Sequence, residues 1–194
     1  MCRSFGIRLR AHFANISSLP SDADIESWLD STRDLIANVA DRRGLIPRDF
    51  AATLICLISN GRESTAAHVG DGCAVLKEEC SGRWVPLSWP DNGEYASTTF
   101  FVTDDERAKL RIARHTGDIC ALSVLSDGLE RLALDLSSKQ PFERFFDGIL
   151  RPVVASTQVG RDGELSRELK TYLNSASVNT RTDDDKTLVL AIRK

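Results

Sequence analysis

Two short acidic segments, each next to an apolar run, are the parts of this sequence best suited to chemistry. Asp127 belongs to a Ser-Asp-Gly tripeptide that follows the apolar run 119–125, and three aspartates at 183–185 precede the apolar run 187–192. If both runs are β-strands, their carboxylates can lie at one edge of a sheet. Carboxylate pairs hold hard divalent cations, which prefer oxygen ligands. The sequence therefore predicts a divalent-metal site and metal-dependent hydrolysis.

Each acidic segment also has a simpler structural interpretation. An aspartate before a glycine is a common turn residue, and a short acidic run is often only a solvated turn. Asp71, which has a glycine on each side, fits a tight hairpin turn between two strands. Ser126 lacks the sequence context of a serine nucleophile, so the metal interpretation rests on Asp127 and one aspartate of the triplet.

Composition is that of one globular domain covering residues 1–194. Of the 194 residues, 42% are hydrophobic and 27% are charged, which is ordinary for a folded domain. The net charge is −3 and no long basic stretch occurs, so binding to nucleic acid or to anionic membranes is disfavoured. No apolar stretch approaches the roughly 20 residues that span a bilayer.

Cysteine and histidine spacing argues against disulfides and zinc. The five cysteines show no Cys-x-x-Cys pair and are odd in number, which favours free thiols and a cytoplasmic location. The three histidines are scattered, so we interpret them as packing or surface residues and not as zinc ligands.

Helical periodicity predicts two helices in the first 43 residues. Ser21 and Asp24 form a capping-box pattern at the start of the second helix, and Gly44 follows its end. The first 21 residues contain no acid and so also resemble a transit peptide, but their apolar stripe favours a core-packing helix. The predicted apolar positions are Phe5, Leu9, Phe13 and Ile16 in the first helix and Ile25, Trp28, Leu29, Leu35, Ile36, Val39 and Ala40 in the second.

Beyond Asp49 the pattern predicts strands interrupted by helices. Asn60 and Gly61 indicate a hairpin turn, and residues 104–115 are compatible with either a strand or a short helix. This order of elements indicates an α+β fold with antiparallel sheets covered by helices. The predicted strands are 51–59, 64–69, 73–77, 83–89, 96–103, 119–125 and 187–192, and the predicted helices are 128–136, 141–154 and a third around 165–173.

Four segments, in order and at strand ends, resemble motifs of the PPM-type serine/threonine phosphatases (protein phosphatase 2C). They are Ala-Ala-Thr-Leu at 51–54, His-Val-Gly-Asp-Gly at 68–72, Leu-Ser-Asp-Gly-Leu at 125–129 and Asp-Asp-Lys-Thr at 184–187. The resemblance implies an antiparallel β-sandwich flanked by helices. It also selects Asp184 within the acidic triplet, because Thr187 then falls at the family's hydroxyl position.

The resemblance further implies a chemistry and a set of partners. Asp127 and Asp184 would ligate two Mn²⁺ or Mg²⁺ ions that share a bridging water, and Asp71 would correspond to a third, weaker ion. No catalytic residue beyond the ligands is implied, because phosphoryl transfer depends mostly on positioning and electrostatics. The expected activity is hydrolysis of phosphoserine or phosphothreonine in signalling proteins, including substrates of a partner serine/threonine kinase.

One departure from the family pattern leaves alternatives open. The family begins with strands bearing an Arg-x-x-x-[Glu/Asp] motif and then Asp-Gly-x-Gly, and nothing before Asp49 matches the latter. We therefore expect either an N-terminally incomplete phosphatase domain, whose missing strands leave a sheet edge open to self-association, or a non-catalytic regulatory or binding module. An unrelated α+β interaction domain is a third hypothesis.

Overall fold

The computed structural model describes residues 1–91, 99–104 and 108–194, which form six α-helices and nine strands. The helices are α1 (Cys2–Phe13), α2 (Asp22–Arg43), α3 (Glu130–Ala133), α4 (Glu143–Ala155), α5 (Gly163–Leu173) and α6 (Ala176–Asn179). The strands are β1 (Leu54–Ser59), β2 (Glu63–Val69), β3 (Cys73–Glu78), β4 (Trp84–Ser88), β5 (Arg111–Thr116), β6 (Ile119–Leu125), β7 (Leu134–Asp135), β8 (Gln140–Pro141) and β9 (Leu188–Ile192). Short 3₁₀ turns cover Pro47–Phe50 and Asp127–Leu129.

The chain divides into two compact units. Unit 1 contains Met1–Asp71 and Asp91–His115, and unit 2 contains Gly72–Pro90 and Thr116–Lys194. The prediction that residues 1–194 form a single phosphatase 2C-like domain stays a prediction.

Unit 1 combines α1 and α2 with a three-stranded sheet of order β1-β2-β5. The predicted capping box starts α2: the Ser21 backbone N–H donates to Asp24 Oδ2 at 2.9 Å, and the Asp24 N–H donates to Ser21 Oγ at 3.2 Å. Gly44 ends the helix in the left-handed conformation, at φ 64°. The unit's core packs Phe5 and Trp28 against the buried residues Leu29, Leu54, Val69, Val102 and Ala108.

The predicted hairpin at Asn60 is confirmed. Strands β1 and β2 pair antiparallel from Leu54↔Val69 to Ser59↔Ser64. Asn60 Oδ1 accepts the backbone N–H groups of Arg62 and Glu63 at 2.9 and 2.8 Å, which closes the turn.

Unit 2 contains a four-stranded sheet of order β4-β3-β6-β9, in which every pairing is antiparallel. Along β6 the odd-numbered residues from Ile119 to Leu125 are buried and the even-numbered ones are half-buried, which is the alternation of a covered sheet. The core of the unit includes Trp84 and Phe146, whose ring centroids are 4.9 Å apart. Trp84 Nε1 also donates to Asp147 Oδ1 at 2.9 Å, so β4 and α4 are joined by packing and by a hydrogen bond.

The expected hairpin around Asp71 is wrong. Strand β2 pairs with β1 in the first sheet, whereas β3 pairs with β4 and β6 in the second. The turn at 70–72 therefore passes the chain from one sheet to another. Glycines on both sides of an aspartate permit a sharp change of direction, but they do not determine which strands pair.

Several other expectations need correction. Leu35 and Val39 of α2 are 54% and 37% exposed and do not join the core, because helical periodicity identifies a stripe without showing how wide the covered face is. The helix predicted at 128–136 is shorter and leads into the small β7–β8 pair, which was not predicted. Of the strand predicted at 96–103, residues 96–98 lie outside the described residues and 99–103 are not a strand.

Within the described residues, no helix has both the length and the apolar character needed to cross a membrane.

Replacing Phe146 tests the core of unit 2. Phe146 is fully buried, so we expect Phe146→Ala to lower the free energy of unfolding by about 3–5 kcal/mol through lost burial and a cavity. Urea denaturation followed by circular dichroism measures this loss. Phe142, one turn earlier and 44% exposed, is the control: an equal loss in Phe142→Ala would contradict the assignment of Phe146 to the core.

Candidate metal centre

The two acidic turns lie side by side in unit 2. Strands β6 and β9 pair antiparallel from Ala121↔Ile192 to Leu125↔Leu188. Asp127 follows the end of β6 and Asp184 precedes the start of β9, so both belong to the same end of this strand pair. The structure thus brings together the two aspartates that the sequence analysis singled out.

Ser126 links the turn after β6 to the turn before β9 through three hydrogen bonds. Its backbone N–H donates to the Thr187 carbonyl at 3.0 Å, and its hydroxyl accepts the Thr187 N–H at 3.0 Å. The same hydroxyl donates to the Asp185 carbonyl at 3.2 Å. Ser126 is therefore a structural connector between the two turns.

Gly128 allows the two turns to touch. A Cβ atom at this position would overlap the carbonyl oxygen of Asp185 and lie 3.0 Å from its carbonyl carbon. It would also be 3.4 Å from Asp184 Cβ. Glycine is needed here because another backbone approaches closely.

Both carboxylates are exposed and oriented by their own turns. Asp127 Oδ1 accepts the Gly128 N–H at 2.9 Å, and Asp184 Oδ1 accepts the Asp185 N–H at 2.7 Å. Two hard oxygen donors of this kind suit Mg²⁺ or Mn²⁺ in type. Among the described residues, however, no group of three or more His, Cys, Asp or Glu side chains is close enough to hold a metal. Within those residues, Asp127 and Asp184 do not make up a complete set of protein ligands for a metal.

Asp71, the third predicted ligand, lies in unit 1. The preceding Gly70 has φ 115° and packs against the Thr53 side chain: a Cβ on Gly70 would lie 2.7 Å from Thr53 Cβ. The Asp71 carboxylate is half-buried, and its Oδ2 accepts a hydrogen bond from the Thr99 hydroxyl. The side chain is therefore held in one orientation on a constrained backbone.

Arg111 supports the same turn from β5. Its Nη2 donates to the Gly70 carbonyl at 2.9 Å and to His68 Nδ1 at 3.0 Å. Burial, and then the Arg111 charge, lower the pKa of His68 to about 3, while Asp91 acts in the opposite direction. His68 is therefore neutral at physiological pH, as it must be for Nδ1 to accept a hydrogen bond from a guanidinium. It is a packing residue, as expected.

The sequence of the chain matches one family along most of its length. The sequence model of the family described as Protein phosphatase 2C matches residues 1–174. The chain belongs to the protein phosphatase 2C family. The matched region contains Asp71 and Asp127, and the turn at Asp184 lies beyond it.

A curated relative agrees with this assignment. Serine/threonine-protein phosphatase 3 of Escherichia coli (strain K12) is 38% identical over 154 residues, which are 79% of this chain and 60% of the relative. The chain thus spans about three fifths of the length of that relative.

Two solved phosphatase structures share the fold of this chain. A bacterial serine phosphatase superposes with a TM-score of 0.59 at 15% identity, covering 98% of this chain and 78% of its own. The catalytic domain of the phosphatase PstP, solved in complex with two manganese ions, gives a TM-score of 0.55 at 13% identity and covers 97% and 77%. The predicted α+β fold class is confirmed.

Sequence reasoning identified the acidic turns of this phosphatase 2C family member but missed the residues that support them. The hydrogen bonds of Ser126 to the β9 turn could have been expected from its position beside Asp127. Thr99 and Arg111 carry no local signal, because they are 28 and 41 residues from their partners Asp71 and Gly70.

Gly128→Ala tests the contact between the acidic turns. The added methyl group would collide with the Asp185 carbonyl, so we expect a lower melting temperature and a loss of roughly 1–3 kcal/mol of stability. Gly148→Ala is the matched control, since nothing lies within 4 Å of its Cβ position in α4. Alanine there should stabilise the helix by up to about 1 kcal/mol. A melting temperature for Gly128→Ala at or above that of the unmodified chain would contradict the close approach.

The buried His68 predicts a pH dependence of stability. Its pKa is about 3 in the folded state and about 6.5 when unfolded, so the unfolded state binds more protons between these values. Stability should therefore fall as the pH falls from about 6.5 towards 3. His68→Asn keeps an acceptor for Arg111 and cannot titrate. Urea unfolding between pH 4.5 and 7.5 should give a flatter profile for this variant; parallel profiles would contradict the prediction.

Proposed function

We propose that this chain hydrolyses phosphoserine and phosphothreonine in proteins with the help of a divalent metal. The observation that carries the proposal is the contact between the Asp127 and Asp184 turns at one end of the β6–β9 pair. Membership of the phosphatase 2C family and the 38% sequence identity to a bacterial serine/threonine phosphatase support the same activity.

Asp127 and Asp184 are the residues we assign to the metal. Their carboxylates are exposed hard oxygen donors on two turns that contact each other, which fits Mn²⁺ or Mg²⁺. The two manganese ions of the related PstP catalytic domain support a divalent cation. We further assign Asp71 to a third, weaker ion.

In this proposal the protein's own contribution is to hold the two negatively charged aspartates in place. A bound divalent cation acidifies its water and offsets charge on phosphoryl oxygens. Ser126 and Gly128 keep the two aspartates in place through backbone contacts, so the carboxylates need little reorganisation. We assign no side chain the role of general acid or base.

The proposed substrates are phosphorylated proteins, including those of a partner serine/threonine kinase, in cytoplasmic signalling. A net charge of −3 is consistent with partners other than nucleic acid or anionic membranes. In the described part of the second sheet, β9 is an edge strand, and we propose it as the edge for self-association.

A second candidate function is a non-catalytic phosphatase-like module that binds or regulates. It is favoured by the lack, among the described residues, of any group of three potential metal-ligating side chains. Such a module would retain the fold and lack a complete two-metal centre.

Substituting the two aspartates separates these functions. With p-nitrophenyl phosphate and millimolar Mn²⁺, we expect turnover by the unmodified chain. Losing a group that only hydrogen-bonds to a metal ligand typically costs roughly 10- to 100-fold. Asp127→Asn and Asp184→Asn change a proposed ligand itself, so each should reduce the turnover by more than this. The reason is that an amide cannot balance the charge of the cation.

Asp183→Asn is the matched control, because it makes the same change in the same turn at a residue that we do not assign to the metal. It should retain most of the turnover. Absence of Mn²⁺-stimulated turnover in the unmodified chain, together with no Mn²⁺ binding by calorimetry, would favour the non-catalytic module.

A further inference from the structure

The helix α1 of unit 1 carries a row of exposed positive charge. Because an α-helix has 3.6 residues per turn, Arg3, Ile7 and Arg10 lie on the face of α1 opposite the buried Phe5, and all three are exposed. We call these three residues the basic stripe. The first 21 residues contain no acid, so no carboxylate of the same helix offsets the two arginines.

The helix α2 carries a matching row of negative charge, the acidic stripe, which consists of Asp30, Asp34 and Asp41. These residues lie on the face opposite the buried Ile25 and are exposed. Asp30 and Asp34 are one turn apart, a spacing at which like charges destabilise a helix. Within the described residues, none of the five charged side chains of the two stripes forms an ion pair or a side-chain hydrogen bond. Both stripes can therefore pair with charges of another molecule.

Contacts between α1 and α2 direct both stripes away from the core of unit 1. Phe5 and Trp28 belong to the same core, and their ring centroids are 6.3 Å apart. The hydroxyl groups of Ser4 and Thr32 share a hydrogen bond at 3.1 Å. These contacts join the inner faces of the two helices, so the outer faces with their opposite charges are presented together.

We propose that the outer face of α1 and α2 binds a second copy of this chain, with the basic stripe of each copy on the acidic stripe of the other. A two-fold axis makes both contacts at once, because each copy carries one stripe of each sign. An arrangement that brought like stripes together would be opposed by charge repulsion. Ile7, which is 53% exposed between the two arginines, and Leu35, which is 54% exposed next to Asp34, add apolar area to the contact.

The association should depend on ionic strength, because salt screens charges that are exposed to solvent. Sedimentation velocity of the full chain should show a dimer at low ionic strength that dissociates as salt is added. The inference goes beyond the proposed hydrolysis and needs no metal. It is also distinct from pairing through the β9 edge, which belongs to unit 2 and would rest on backbone hydrogen bonds.

Charge reversal tests which stripes meet. Arg3→Glu combined with Arg10→Glu makes both stripes negative, and Asp30→Lys combined with Asp34→Lys makes both predominantly positive. Each double variant should weaken the dimer by at least about tenfold, because like charges then face one another in both contacts. An equimolar mixture of the two double variants should restore the dimer, since each contact again joins opposite charges.

The helix α5 supplies a matched control. Glu164 and Glu168 are exposed, one turn apart and in unit 2. Glu164→Lys combined with Glu168→Lys therefore makes the same change of charge on another helix surface, and it should leave the association unchanged. All the substituted residues are exposed, so we expect melting temperatures close to that of the unmodified chain.

The inference is supported if the two double variants of the stripes are monomeric where the unmodified chain is dimeric, and if their mixture is dimeric. Recovery in the mixture also shows that both variants are folded. A monomeric unmodified chain at low ionic strength would overturn the inference. So would a stripe variant that associates as strongly as the unmodified chain, as expected for pairing through β9, or a mixture that stays monomeric. None of these results bears on the proposed hydrolysis.

Discussion

The antiparallel pairing of β6 with β9 is the constraint on which the candidate metal centre depends. It sets Leu125 opposite Leu188, and so it places the turn after one strand beside the turn before the other. A shift of one residue in this register would reverse the faces of every β9 side chain. Ser126 adds side-chain hydrogen bonds at the end of the ladder, and Gly128 removes the atom that would separate the turns. Backbone geometry, more than attraction between side chains, therefore brings Asp127 and Asp184 together.

Asp71 is held by side-chain and turn contacts and not by strand pairing. Its backbone is constrained by Gly70, which lies against Thr53 and whose carbonyl oxygen accepts a hydrogen bond from Arg111. Its carboxylate is engaged by Thr99. None of these contacts continues a strand ladder, so each depends on a side chain from another part of unit 1. The environment of Asp71 is accordingly more sensitive to individual side chains than that of the β6–β9 turns.

The contrast between strand pairing and side-chain contacts from distant parts of the chain explains how much could be predicted from the sequence. The apolar run of β6, the turn at Asn60 and the cap at Ser21 are local signals, and the strand, the hairpin and the capping box they predict all appear in the structure. The adjacency of Asp127 and Asp184 followed from two strand ends and a family resemblance. The partners of β2 and β3 could not be read from the two glycines around Asp71, because strand pairing is set by distant residues. Thr99 and Arg111 were missed for the same reason. The exposure of Leu35 and Val39 shows that periodicity alone does not establish what a helix face contacts.

The bonds between Ser126 and Thr187 join residues 61 positions apart in sequence, and this separation has a consequence for the order of folding. Closing so long a loop has an entropic cost that must be met before the contact contributes stability. In a partly folded chain whose β9 has not yet docked, only one of the two carboxylates would be in place, so the proposed binding of a divalent ion would be weak. A cation that binds only the completed arrangement would favour that final docking step by mass action. Under the proposed function, metal binding would therefore be coupled to the last step of folding.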